Sequence, residues 1–126
     1  MKNDLILIRF DVGGLNGLGH ANRCIAISEI LLNKKIIFCT NEKKTIHNLI
    51  NRKNYLFRIK RENQTEESFI LNIANKFRKS TLIIDKQYNY SRRFISQLNK
   101  LVKVIMIYHC PGIFESKMVF FPSLIF

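Results

Sequence analysis

Apolar and polar positions along the chain alternate between two periods. Leu5-Ile6-Leu7-Ile8-Arg9-Phe10 is an apolar run broken by one arginine, the pattern of a strand covered on both faces. From His20 to about Asn33, apolar residues at Ala21, Cys24, Ile25, Ile27, Ile30, Leu31 and Leu32 make a wide helical face. The two patterns then repeat. Lys35–Thr40 predicts a second strand, Glu42–Asn51 a short helix and Tyr55–Ile59 a third strand. Thr65 followed by Glu66 and Glu67 suits the exposed N–H groups of a helix start, and that helix is expected to reach about Lys79. Thr81–Asp85 reads as a fourth strand ending in an acid, Ser91 as the cap of a helix to Lys100, and Lys103–Ile107 as a fifth strand. Strands alternating with helices predict the α/β class: a Rossmann-like open parallel sheet with helices on both faces. Residues 1–126 make one domain by length. Met118–Phe121 predicts a sixth strand, and Pro122–Phe126 then closes on bare hydrophobics. Such an ending is expected of a chain cut short, or of a tail packed on a partner.

Composition narrows the class. Hydrophobic residues are 47% and charged residues 24%, ordinary for a soluble globular protein. No apolar run approaches the roughly 20 residues that span a bilayer. The first residues lack the length and cleavage site of a signal peptide, so a cytoplasmic location is expected. Cys24, Cys39 and Cys110 are odd in number and far apart, which fits reduced thiols, and there is no C-x-x-C. The net charge of +12 opens two readings, phosphate neutralisation in nucleic-acid binding or a solvated surface. The cations are scattered over helix ends and loops and no nucleic-acid motif accompanies them, so the surface reading is expected.

The segment Asp11–Gly19 leaves the first strand rich in glycine, which permits positive φ and close approach of a ligand. In an open parallel sheet that loop lies where ligands bind, beyond the carboxyl ends of the strands. No Gly-Lys-Ser/Thr follows, which excludes a P-loop. Asn22 stands where a dinucleotide fingerprint needs its third glycine. The loop instead delivers His20 to the first turn of a helix. A helix N-terminus favours neutral imidazole over its cation, and a neutral imidazole can activate water as a general base. It can equally serve as a helix cap, and the residues alone leave the two readings even. Asp85 at a strand end is either on the ligand side or a turn cap. Arg23, three residues after His20, either contacts an anion or pairs with an acid. His20 and Cys24 share a helix face, but no spacing, even with His109-Cys110, supports a metal site; Cys24 reads as a small core residue.

The string Arg9-x-Asp11-x-Gly13-x-x-x-Gly17-x-Gly19-His20-x-x-Arg23-Cys24-x-Ala26 resembles the N-terminal signature of the UDP-sugar hydrolases of pseudaminic acid biosynthesis. It is equally similar to the related spore-coat polysaccharide biosynthesis proteins. The resemblance implies one half of a GT-B-like architecture, whose second, C-terminal domain binds the uridine diphosphate. It implies hydrolysis of UDP-2,4-diacetamido-2,4,6-trideoxy-β-L-altropyranose, in which water attacks the anomeric carbon and UDP leaves without metal or cofactor. His20 is then the implied base. Asp11 orients the loop or a sugar hydroxyl, and Gly13, Gly17 and Gly19 let the backbone approach the sugar. Arg23, Asp85 and Tyr88 complete the implied substrate contacts. Two departures stand out: Asp85-Lys86-Gln87-Tyr88 replaces an acid followed closely by an aromatic, and Ile107-Tyr108-His109-Cys110 replaces an acidic pair. One half of a split glycosyltransferase and a basic nucleic-acid-binding module are the competing expectations.

Overall fold

The computed structural model describes residues 4–13 and 19–107 and the backbone of residues 118–119. Its elements run in the order β1 (Leu5–Arg9), α1 (Gly19–Ile30), β2 (Lys35–Thr40), α2 (Lys44–His47), β3 (Tyr55–Ile59), α3 (Glu66–Lys76), β4 (Thr81–Ile84), α4 (Arg92–Leu101), β5 (Lys103–Met106) and β6 (Met118–Val119). The described strands form one sheet in the order β3-β2-β1-β4-β5-β6, each pair parallel. This is a Rossmann-like open α/β sheet. The chain starts at the centre, steps outward to β3, then returns across β1 to build the other half. Ligands in such sheets bind where the order reverses, here above the carboxyl ends of β1 and β4.

Side-chain alternation along the strands fills two cores. Leu7, Ile37, Leu82 and Val104 pack under Phe69, Ile70 and Ile73 of α3 and Phe94, Ile95 and Leu98 of α4. Ile6, Ile8, Ile36, Phe38 and Ile83 face the other way, against Ala21, Cys24 and Ile25 of α1 and Ile46 of α2. A strand apolar at every position is therefore a strand with helices on both sides.

The helix ends have visible causes. Thr65 and Ser91 accept from the backbone N–H groups of Ser68 and Phe94, capping α3 and α4. α3 stops at Lys76, short of the expected Lys79, because the chain then turns through Lys79 at φ 68°. α1 stops at Ile30 rather than Asn33, and the Arg52 guanidinium donates to the carbonyls of Ser28, Leu31, Leu32 and Lys34 at its end. α2 is a single turn, shorter than Glu42–Asn51: no side chain caps it, and only Ile46 reaches the core. Among the described residues no helix is long and apolar enough to cross a membrane.

Candidate functional site

Two side-chain clusters stand at the point where the strand order reverses, one on each face of the sheet. The first is built on Asp85, which follows β4 and continues its ladder by donating its N–H to the Arg9 carbonyl at 2.8 Å. Its side chain is fully buried and points to the α1 face. There the first turns of α1 deliver three partners. His20 Nδ1 lies 2.8 Å from Asp85 Oδ1. Arg23 donates through Nε to Oδ2 and through Nη2 to Oδ1, both at 2.7 Å. The Cys24 thiol donates to Oδ2 at 3.5 Å. A buried carboxylate needs a paired charge, and the two-pronged guanidinium supplies it. With Nδ1–H donated to Asp85, the neutral imidazole carries its lone pair on Nε2. Cys24 is a thiol there, because burial and then Asp85 push its pKa well up.

The second cluster lies on the α3 face. Arg9, the last residue of β1, is fully buried. It donates to Glu66, the first residue of α3, through Nε at 2.9 Å and Nη2 at 2.6 Å. Its Nη1 serves Asp11 and the Phe10 carbonyl, and its plane sits 5.2 Å from the centre of the Phe69 ring. Lys86 donates to the second Asp11 oxygen and lies 3.5 Å from Glu66. The Tyr90 hydroxyl donates to Glu66 at 2.8 Å. Burial works against the Asp11 carboxylate, but Arg9 and then Lys86 outweigh it and hold its pKa below the ordinary value. Asp11 is therefore an acceptor at neutral pH and no proton donor. Burial likewise pulls the Arg9 guanidinium down, and Glu66 and Asp11 reverse the sign and raise it.

Both clusters are balanced in formal charge. Arg9 and Lys86 face Asp11 and Glu66, and Arg23 faces Asp85, each cation against a carboxylate. No family model, curated protein or solved structure matches the chain. What the chain does must therefore be argued from this site.

Of the residues singled out in the sequence, His20, Arg23 and Asp85 meet within hydrogen-bonding distance. Asp11 belongs to the neighbouring network rather than to the histidine cluster. Tyr88, partly exposed, lies on the segment after β4 with its ring 4.7 Å from that of Tyr90. Gly13 takes φ +89°, which only glycine adopts without strain, while Gly19 opens α1 with open space where a side chain would go. Gly17, His109 and Cys110 lie outside the described residues. Among the described residues no group of three or more His, Cys, Asp or Glu is placed to hold a metal. Sequence reasoning missed Glu66, Lys86 and Tyr90. The signal was an arginine inside an apolar strand, which requires a buried acid elsewhere in the chain. A hollow of about 630 Å³ opens at the opposite, amino edge of the sheet and touches none of these groups. Chemistry and topology, not size, mark the reversal point as the site.

Proposed function

We propose that this chain is the histidine-bearing half of a two-domain nucleotide-sugar hydrolase. It acts on a UDP-linked diacetamido-trideoxy sugar of cell-surface glycan biosynthesis. The observation that carries the reading is the His20–Asp85 pair, 2.8 Å apart beyond the carboxyl end of β4. A carboxylate fixing Nδ1–H is how an imidazole is oriented to take a proton at Nε2. The attacking group is water: its oxygen bonds to the anomeric carbon as its proton passes to His20. The bond from that carbon to the diphosphate oxygen breaks, and UDP leaves with the electron pair. Arg23 holds Asp85 in place, and Asp11 and Tyr88 meet the sugar from the neighbouring network. Gly13 and Gly19 have open space where a side chain would stand and leave room for the sugar ring. The diphosphate is left to a facing domain, and the resemblance around His20 names the sugar class.

The test is UDP release from the altropyranose substrate, with this chain assembled against a facing uridine-diphosphate-binding domain. The isolated chain should release no UDP above background, because one wall of the cleft is missing. In the assembly, His20→Ala should slow release by roughly 10²–10⁴-fold, the usual contribution of a general base. His47→Ala is the control. His47 sits exposed on α2 against the Tyr55 hydroxyl, and its loss should leave the rate unchanged. A folded His20→Ala enzyme with near-full activity would reduce the histidine to a structural cap and remove the mechanism.

A further inference from the structure

Most of the described lysines, scattered in the sequence, gather at one end of the fold. All described strands are parallel, so the residues that open them share one edge, and the preceding helices end there too. Lys35 opens β2, Lys53 lies just before β3, Lys79 just before β4, and Lys103 opens β5. Lys76 and Lys100 stand in the last turns of α3 and α4. All six are exposed. Backbone hydrogen bonds from Lys79 to the Leu101 carbonyl and from Lys103 to the Ser80 carbonyl tie the α3 and α4 ends into this edge. Four strand spacings of about 4.8 Å set the row at roughly 19 Å across. Among the described residues the acids at this end are Asp4, which pairs with Lys34 at 3.4 Å, and Glu29. The other described acids lie toward the carboxyl edge.

Among the described residues, the same end carries the most exposed large apolar side chains: Ile30 at 73%, Leu32 at 68% and Leu56 at 63% exposed. Ile30 and Leu32 surround the end of α1, and Leu56 lies on β3, an edge strand of the sheet. Leu56 also lines the 630 Å³ cleft with Leu5, Tyr55 and Phe77, between Lys35 and Lys53. Exposed aliphatics inside a lysine field have no role on a phosphodiester backbone. They match a lipid surface, where headgroups meet the cations and the aliphatics enter the acyl boundary.

We propose that the amino edge of the sheet docks on an anionic phospholipid bilayer. Because the His20–Asp85 pair lies at the carboxyl edge, docking leaves it facing away from the membrane. The surface is independent of the chemistry proposed for that pair.

The experiment is co-sedimentation of the full chain with phosphatidylglycerol–phosphatidylcholine vesicles and with pure phosphatidylcholine vesicles. Binding is expected to the first only, and to weaken as salt rises. The triple variant Lys35→Glu/Lys53→Glu/Lys103→Glu should lose roughly 100-fold in affinity, at the usual contribution of a basic residue near an anionic surface. The triple variant Lys44→Glu/Arg61→Glu/Arg93→Glu changes net charge equally through exposed residues at the carboxyl edge, and should bind within about twofold of the parent. Leu32→Ser/Leu56→Ser should weaken binding by about tenfold at unchanged charge. Circular dichroism checks that each variant folds, and Lys→Gln at the same three positions substitutes where Lys→Glu does not. Equal losses in the two charge triples would overturn the proposal, since bulk charge would then suffice. So would tighter binding to duplex DNA than to vesicles, or vesicle binding indifferent to the two leucines.

Discussion

At the scale of single residues, the decisive feature is a fully buried carboxylate, Asp85, shared by a histidine, an arginine and a thiol. Arg23 pairs with its charge, and His20 is oriented by it through Nδ1. Asp85→Asn separates the two roles. The amide can turn its NH₂ toward His20, which would place the ring hydrogen on Nε2 and remove the lone pair from the site. In the assembled enzyme this should cost UDP release about as much as His20→Ala, roughly 10²–10⁴-fold, with KM little changed. A loss seen only in KM would make Asp85 a sugar contact instead. Arg9 gives a purely structural counterpart. Removing one partner of a buried pair strands the other charge, so Arg9→Met should destabilise the fold by about 3–5 kcal/mol. Arg9→Met/Glu66→Gln should recover part of that loss in urea unfolding, because Glu66 is then no longer a buried charge without its guanidinium. Equal stability of the single and double variants would show that Glu66 finds other compensation.

At the scale of elements, the strands and the long helices were legible because their periods are strong. β2 and β3 fall on the expected residues, and the caps at Thr65 and Ser91 bond as their hydroxyls suggest. Helix ends were less legible, since tertiary partners decide them. Nothing local announces that Arg52, twenty or more residues away, would collect the last carbonyls of α1. The same holds for the site. The loop, His20 and the strand-end acid stand out in the sequence, whereas the Arg9–Glu66 pair spans 57 positions and becomes visible only when β1 meets α3. Arg52 also yields a test of how much one long-range cap contributes. Arg52→Ala strips donors from carbonyls at the end of α1 and from Lys34, and should cost about 3 kcal/mol of stability. Arg52→Lys keeps one charge without the planar fork and should recover less than half of it. Urea midpoints at constant m-value measure both.

At the scale of the whole molecule, the fold separates two kinds of side chain by edge: the Asp85 and Arg9 clusters above β1 and β4, and a lysine-rich amino end. That layout also sets how stability should depend on pH. With 21 Lys and Arg against 9 Asp and Glu, protonating the acids leaves positive charges to repel one another. Asp11 adds a specific term of the same sign. Its pKa is depressed in the folded state, so its contribution is complete above the unfolded value of 3.8 and is lost as pH falls through the folded one. On the alkaline side the sign reverses through the thiols. Burial raises Cys39 from 9.0 to about 12, so the folded state keeps a proton that the unfolded chain releases. Stability from this thiol is therefore complete below pH 9 and lost between 9 and 12, at about 1.4 kcal/mol per pH unit. Cys24, fully buried beside Asp85 and also raised, steepens the same limb. The expected profile is a plateau around neutrality, falling below about pH 4 and above about pH 9. Cys39→Ala should lower the plateau by about 1 kcal/mol through lost packing, yet flatten the alkaline limb. Chemical denaturation from pH 7 to 11 reads both effects together. An alkaline limb equally steep in the variant would assign the loss to lysine deprotonation or to Cys24, and show that the Cys39 thiol is not held protonated by its burial.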